Sequence, residues 1–171
     1  MAAWSFMIEL LPQQWLDAGG AVDTLYRKGC YSTSAAWETW ETGNPESIQR
    51  RIGSILPLVE SWSGSPWSQL SWGDPEADDT ENGIQLIAKN DRVAKLGARW
   101  DMRRPNLPMF GHVVSVAGDL RLALLDVERQ RIVPPDVNAL LWAAATCRAA
   151  WYLKDRISFL TSLGGRNGQA T

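Results

Sequence analysis

The chain has 171 residues, of which 45% are hydrophobic and 21% are charged, and its formal net charge is −2 at pH 7. A chain of this length corresponds to about one domain and buries enough surface to fold without disulfides or metal ions. The slight negative charge argues against a protein that binds nucleic acid by neutralising phosphates.

Ten tryptophans, from Trp4 to Trp151, are the most unusual feature of the composition. We expect most of them in the core, since aromatic burial contributes strongly to small domains, and some at a binding surface, where tryptophan is enriched. Cys30 and Cys147 are too few for a disulfide framework, so we expect two reduced, buried thiols.

The N-terminal segment alternates between apolar and polar residues over Trp4–Leu10, which predicts a first strand. Ser5, Met7 and Glu9 share one face of it. The segment has no basic region of the kind that begins a signal peptide, and no stretch approaches the ~18 uncharged apolar residues of a membrane span. We therefore expect a cytoplasmic protein.

Two helices are predicted next. The first covers residues 12–29 and is weakened at its paired glycines, Gly19 and Gly20. The second has Asn44 as its N-cap and Pro45 at its first position, and it extends to Trp62, which closes it. Pro57 is expected to kink this helix or interrupt its hydrogen bonds.

A hairpin is the clearest prediction in the middle of the chain. After a short strand that ends at Trp72, two strand-like segments flank Asn90–Asp91, a pair that tolerates positive φ. The second strand alternates between an apolar face and a charged face, as in a half-buried antiparallel sheet. The charged face comprises Lys95, Arg99, Asp101 and Arg103.

The remaining segments complete an α+β pattern. A helix capped by Asn106, two short strands, and one long helix capped by Asp136 follow in order. The order predicts a single-domain sandwich over residues 1–163, with a mostly antiparallel sheet packed against about four helices. Gly164 and Gly165 end the last helix, and residues 164–171 are predicted to form a flexible tail.

Catalytic and cofactor patterns are missing from the sequence. His112 is the single histidine and lies in an apolar helix without a neighbouring base and nucleophile, so we interpret it, like Cys147, as structural. No phosphate-binding glycine loop occurs, and the acids that follow Trp72 do not fit a calcium loop. We therefore predict no enzyme activity, no cofactor and no metal.

A tryptophan and acid stretch gives the first candidate site. Its members, which we predict to contact a protein partner, are Trp67, Trp72, Asp74, Glu76, Asp78 and Asp79. Tryptophan supplies desolvated contact area, while the acids attract a basic partner. The alternative is that the acids form an ordinary solvated loop and that the tryptophans plug the edge of the core.

Arg99, Asp101 and Arg103 form a second candidate cluster, because a carboxylate between two guanidinium groups can hold an anionic ligand. A salt-bridged, solvated sheet face is the plainer interpretation.

The layout of residues 84–149 resembles that of known proteins: a hairpin that ends in Arg99-x-Asp101-x-Arg103, a helix that contains Phe110, then LALLD, RIVPP and a last helix. It is similar to the immunity proteins of bacterial type VI and other polymorphic toxin systems. The resemblance covers about half of the chain and transfers no functional residues. It implies a non-enzymatic inhibitor that blocks the active site of a cognate toxin, which could have a basic cleft.

Two other functions stay open. One is a small-molecule-binding or enzymatic α+β domain that uses the Arg99 cluster and His112 in a pocket. The other is a structural subunit of a phage or secretion apparatus. The sequence predicts neither nucleic acid nor membrane as a partner, and it leaves the oligomeric state undetermined.

Overall fold

A seven-stranded antiparallel sheet organises the fold in the computed structural model, which describes residues 4–27, 30–40, 44–73 and 82–155. Its strands are β1 (Ser5–Pro12), β4 (Leu58–Gly64), β5 (Trp67–Gly73), β6 (Gly83–Lys89), β7 (Arg92–Asp101), β8 (Leu122–Asp126) and β9 (Arg131–Val133), and β2 (Tyr26–Arg27) pairs separately with β3 (Cys30–Tyr31). The order of strands across the sheet is β4-β5-β6-β7-β1-β8-β9. The predicted α+β class with a mostly antiparallel sheet is confirmed.

Six α-helices lie in the described part of the chain, more than the four that the sequence predicts. They are α1 (Gln13–Asp17), α2 (Ser34–Glu38), α3 (Pro45–Gly53), α4 (Leu107–Asp119), α5 (Val137–Ala145) and α6 (Arg148–Lys154). The three predicted N-caps are confirmed: the side chains of Asn44, Asn106 and Asp136 accept hydrogen bonds from the backbone N–H groups of the first turns of α3, α4 and α5.

The first face of the sheet carries the main hydrophobic core. Its side chains include Phe6 and Ile8 from β1, Ile84 and Leu86 from β6, Ala98 and Trp100 from β7, and Leu122 and Leu124 from β8. Helices α3, α4, α5 and α6 contribute to the same cluster. The Trp100 ring stacks on Phe110 of α4 with their centroids 4.4 Å apart. The alternation predicted from sequence therefore buries the correct face of β7.

The second face of the sheet, which carries Glu9, Lys95 and Arg99, is covered differently. A smaller cluster of Leu11, Trp15, Leu25, Ala36 and Leu125 covers it at β1 and β8. Farther along, on β4, β5 and β6, side chains of this face other than Ser71 are half-buried or exposed. The second face therefore changes from a packed end to an open end.

The predicted helix over residues 12–29 is wrong in most of its length. Strand β1 continues to Pro12, α1 ends at Asp17, and only a 3₁₀ turn, Val22–Leu25, follows. Gly19 adopts φ +88, and a Cβ at Gly20 would lie 2.3 Å from the Trp15 ring. The two glycines thus end the helix and let the chain turn back over Trp15.

The predicted helix from Asn44 to Trp62 is also wrong beyond its first half. Helix α3 ends at Gly53, and β4 begins at Leu58, directly after Pro57. Proline lacks the N–H that a helix needs, and the following residues pair with β5 instead. Trp62 consequently lies in a strand.

The last predicted helix is divided into α5 and α6. The break falls at Thr146 and Cys147, where the Cys147 Sγ accepts a hydrogen bond from the Ala150 N–H at 3.4 Å. The cysteine acts as the N-cap of α6. The predicted end of this helix and the predicted tail, residues 164–171, lie outside the described residues.

Candidate functional site

A row of paired residues crosses five strands on the second face of the sheet. From β4 to β1 the row comprises Glu60, Ser71, Gln85, Gly97 and Glu9. Paired positions on adjacent strands are side-chain neighbours, so this register gathers residues that are far apart in the chain. The row is mostly polar, unlike the apolar rows on the first face.

Two glycines open the floor of this row. Gly97 has no side chain, and a Cβ there would lie 3.1 Å from Glu9 Oε1. Gly83 pairs with Arg99 in the next row, and a Cβ there would lie 2.4 Å from the Trp72 carbonyl oxygen. The result is a cavity of about 160 Å³. Its polar walls include Glu9, Glu60, Ser71, Gln85, Lys95 and Arg99.

Glu9 is the most unusual side chain in this cavity. It is 0% exposed, and its Oε1 lies 2.9 Å from Lys95 Nζ. Within the described residues neither carboxylate oxygen accepts a hydrogen bond of acceptable geometry, and Oε2 has no partner. Burial raises the pKa of Glu9 to about 7, although Lys95 lowers it in part. A carboxylate in this state favours any hydrogen-bond donor that enters the cavity.

Two cations flank Glu9 on β7. The Lys95 side chain is half-buried beside it. Arg99 donates from Nε and Nη2 to Ser5 Oγ, at 3.1 and 2.9 Å. The cavity therefore presents both signs of charge together with the amide of Gln85. This set can bind a polar ligand by charge-assisted hydrogen bonds.

Two exposed tryptophans lie at the open end of the same face. Trp62 is 57% exposed and Trp67 is 41% exposed. Trp62 pairs with Gln69, which makes Trp67 its diagonal neighbour across the β4–β5 hairpin. Lys89 Nζ lies 4.9 Å from the centroid of a Trp67 ring. The pair forms an aromatic surface at an edge of the sheet.

The structure separates the members of the predicted tryptophan and acid site. Trp72 is only 3% exposed and packs in the core on the first face. In this position its side chain is not part of a contact surface. The acids Asp74, Glu76, Asp78 and Asp79 lie outside the described residues. They follow Gly73, which is ~20 Å along β5 from Trp67 at ~3.3 Å per residue.

The predicted cluster of Arg99, Asp101 and Arg103 is divided as well. Asp101 is buried and accepts hydrogen bonds from the Arg103 guanidinium group, which also stacks on Trp4 at 4.3 Å. Arg99 instead lines the Glu9 cavity. Only Arg99 of the three therefore belongs to the candidate site.

Glu9, Gln85 and Gly97 were not predicted as site residues. Glu9 stands in an apolar stretch, IELL, and a charged residue among buried neighbours is a recognisable signal. Its position opposite Gly97 depends on the pairing of β1 with β7, which brings together residues almost ninety positions apart. Local patterns do not contain that information.

The other chemically active side chains lie apart from the cavity. His112 is half-buried on α4, and Cys147 is buried at the start of α6, where burial raises the pKa of its thiol. Among the described residues, no three histidine, cysteine or acidic side chains are grouped so as to hold a metal ion. The helices in the described ranges are all too short or too polar to span a membrane.

No protein-family model matches the chain, and comparisons with curated proteins and with solved structures found no significant similarity. The site is therefore interpreted from its own geometry.

Proposed function

We propose that this protein is a non-enzymatic binding protein of the immunity type, which inhibits a cognate bacterial toxin by covering its active site. The observation that carries the proposal is the pair of exposed tryptophans, Trp62 and Trp67, on the β4–β5 hairpin. The layout of residues 84–149, which resembles that of immunity proteins, gives the class of partner.

Exposed tryptophan pairs favour a protein interface. A tryptophan in contact with water forfeits the large free energy of its burial, and tryptophan is among the residues that contribute most to protein–protein binding. Trp62 and Trp67 are diagonal neighbours on the same face of the β4–β5 hairpin, and both are exposed. Together they offer a contiguous aromatic area in place of single scattered side chains.

The edge position of β4 adds a second mode of contact. Strand β4 is the first in the sheet order and pairs with β5 on one side. Edge strands carry backbone N–H and C=O groups that a partner strand can use. A toxin segment can therefore extend the sheet while its side chains meet the tryptophans.

The acidic residues Asp74, Glu76, Asp78 and Asp79 stay in the proposal as a region that attracts a basic toxin. Charges near an interface chiefly accelerate association and improve selectivity, and salt weakens their effect. Trp67 begins β5 and Gly73 ends it, directly before these acids in the sequence.

The proposal is tested with the product of the adjacent gene as the candidate toxin. We expect the two proteins to co-purify and the present protein to rescue cells that express that product. The double variant Trp62→Ser with Trp67→Ser should bind at least about 100-fold more weakly, as expected for loss of two central aromatic contacts. Trp142→Ser is the matched control, because Trp142 is equally exposed but lies on α5.

Three results would contradict the proposal. The adjacent gene could encode no toxin, the pair could fail to associate, or the double variant could bind as tightly as the Trp142→Ser control. A variant with all four acids replaced by serine tests the second region. It should associate more slowly and respond less to salt, while its complex, once formed, dissociates at a similar rate.

A further inference from the structure

The cavity beside Glu9 has the features of a built ligand site that the proposed toxin contact does not use. Glu9 is fully buried, and its Oε2 has no partner within the described residues. The side chain lies against Gly97 and is one of the residues that line the cavity. A buried carboxylate oxygen that lacks a donor is costly to keep, so a donor from outside the chain would be bound favourably there.

The charges around the cavity restrict the ligand. Lys95 Nζ lies 2.9 Å from Glu9 Oε1, so a positive and a negative group stand side by side in the wall. A ligand with only a positive charge would approach Glu9 but be repelled by Lys95. A ligand with only a negative charge would be attracted by Lys95 but repelled by Glu9. A ligand with adjacent opposite charges places each of them against its complement, and this arrangement is strong where water is scarce.

We propose that the cavity binds a small α-amino acid in its zwitterionic form, with its ammonium group on Glu9 Oε2 and its carboxylate on Lys95 Nζ. The ammonium and carboxylate groups of such a molecule are separated by one carbon atom. That spacing matches an ion pair in which the two side-chain groups are in direct contact. The ligand and the wall then form a ring of four alternating charges.

The size and lining of the cavity favour a small, polar amino acid. Its volume of about 160 Å³ is below the ~300 to 1,000 Å³ of typical ligand pockets, so the cavity favours a small ligand. Gln85 and Ser71 continue the same row from Gly97 and supply an amide and a hydroxyl group. Glycine and L-serine are thus the best probes, and larger apolar amino acids should bind more weakly.

The experiment follows the backbone amides of Gly83 and Gly97 by ¹H–¹⁵N NMR during titration with glycine and with L-serine. It is run at about pH 8, above the pKa of about 7 that burial gives Glu9, so that the carboxylate is charged. Saturable shifts at millimolar concentration are expected. Glycinamide lacks the carboxylate and acetate lacks the ammonium group. Each should therefore produce at least about tenfold weaker binding, the factor that loss of one charge-assisted contact gives.

Two variants and one control assign the site. Glu9→Gln should weaken glycine binding at least tenfold, and Lys95→Gln should weaken it by a similar factor, since each removes one charge. Glu46→Gln, an exposed glutamate in the first turn of α3, should bind glycine as the unmodified protein does. Lys95 is partly exposed, so its variant is expected to fold even if Glu9→Gln does not.

Several results would overturn the proposal. Absence of shifts with both amino acids would exclude the ligand class, and equal affinity for glycinamide would show that the carboxylate is not recognised. Unchanged binding in Lys95→Gln would place the ligand elsewhere. Because these measurements use no partner protein, they are independent of the toxin test.

Discussion

Two carboxylates, Glu9 and Asp126, are equally buried in this protein but lie in opposite environments. Each is 0% exposed. Asp126 accepts hydrogen bonds from the backbone N–H groups of Glu128 and Arg129, at 3.1 and 3.2 Å, and pairs with Arg129 Nη1 at 2.9 Å. Among the described residues, Glu9 has Lys95 as its charged partner and lines a cavity. Asp126 has the surroundings of a structural group, and Glu9 those of a binding group.

The difference follows from the local chain around each residue. Asp126 ends β8, and the turn that follows places the backbone N–H groups of Glu128 and Arg129 within hydrogen-bond distance of its carboxylate. An aspartate at this position of a turn commonly accepts such hydrogen bonds. Glu9 lies inside a strand, where the backbone N–H groups are already used by the sheet. Its carboxylate therefore depends on side chains, water or a ligand for hydrogen-bond donors.

The largest expected effect is on stability at Asp126. Asp126→Ala would leave Arg129 without its carboxylate and two N–H groups without their acceptor, so it should lower the free energy of unfolding by about 4 kcal/mol. Asp126→Asn keeps a hydrogen-bond acceptor, so its free energy of unfolding should fall clearly less than that of Asp126→Ala. Urea denaturation measures both. A loss below about 1 kcal/mol for the alanine variant would mean that the turn does not depend on this network.

The second prediction concerns pH and Glu9. Its pKa rises from 4.5 to about 7 on folding, so between these values the folded state binds more protons than the unfolded state. The contribution of Glu9 to stability is therefore fully present below about pH 4.5 and is lost as the pH rises through about 7, by about 3 kcal/mol.

Glu9→Gln isolates this contribution. The stability of the variant relative to the unmodified protein should increase by about 3 kcal/mol between pH 4 and pH 8. Urea denaturation at both pH values checks the change. A constant difference would show that Glu9 titrates as an ordinary exposed glutamate.

The third prediction concerns the floor of the cavity. A methyl group at Gly97 would lie 3.1 Å from Glu9 Oε1 and 3.2 Å from the Ile8 carbonyl oxygen, so Gly97→Ala should destabilise the fold by about 1 to 2 kcal/mol. Gly118→Ala in α4 is the matched control. It meets nothing within 4 Å and should stabilise the fold by up to about 1 kcal/mol, because alanine is the better helix former. Thermal or urea unfolding that gave both variants the same sign would contradict this view of the cavity.

The smallest expected change in stability is at the exposed tryptophans. Trp62→Ser and Trp67→Ser should each alter the free energy of unfolding by less than about 1 kcal/mol, since neither side chain fills the core. Trp100→Ser, in contrast, should cost several kcal/mol, in the ~3 to 5 kcal/mol range of large core truncations. If substitution of Trp62 or Trp67 lowered the free energy of unfolding as much as Trp100→Ser, the hairpin would depend on these residues for folding. Its interpretation as a contact surface would then fail.

Local features of the fold were predictable from sequence, and long-range ones were not. Asn90 and Asp91 adopt φ of 50 and 57, as their turn chemistry predicts, and the three helix caps depend on residues within one turn. The end of α3 was misplaced because its apolar stripe continues past Gly53 while the chain enters β4. Whether the residues after Gly53 form helix or strand depends on the strand with which they pair, and a single sequence does not reveal that strand.

The candidate site was predictable in the same limited way. Alternation within each strand correctly predicted which side of β1 carries Glu9 and which side of β7 carries Lys95 and Arg99. Their meeting over Gly97 required the register between β1 and β7. Trp72 was predicted as a contact residue although the structure buries its side chain, because composition alone does not tell which of several nearby tryptophans faces the core.

The titration of Glu9 by NMR tests most directly the claim that this carboxylate is buried without adequate partners. The carboxyl carbon of Glu9 is observed in the ligand-free protein as the pH is raised, and its signal is assigned by its disappearance in Glu9→Gln. The structure predicts a midpoint at about pH 7. A midpoint near the ordinary value of 4.5 would contradict the account, because it would mean that water or another donor already satisfies Glu9.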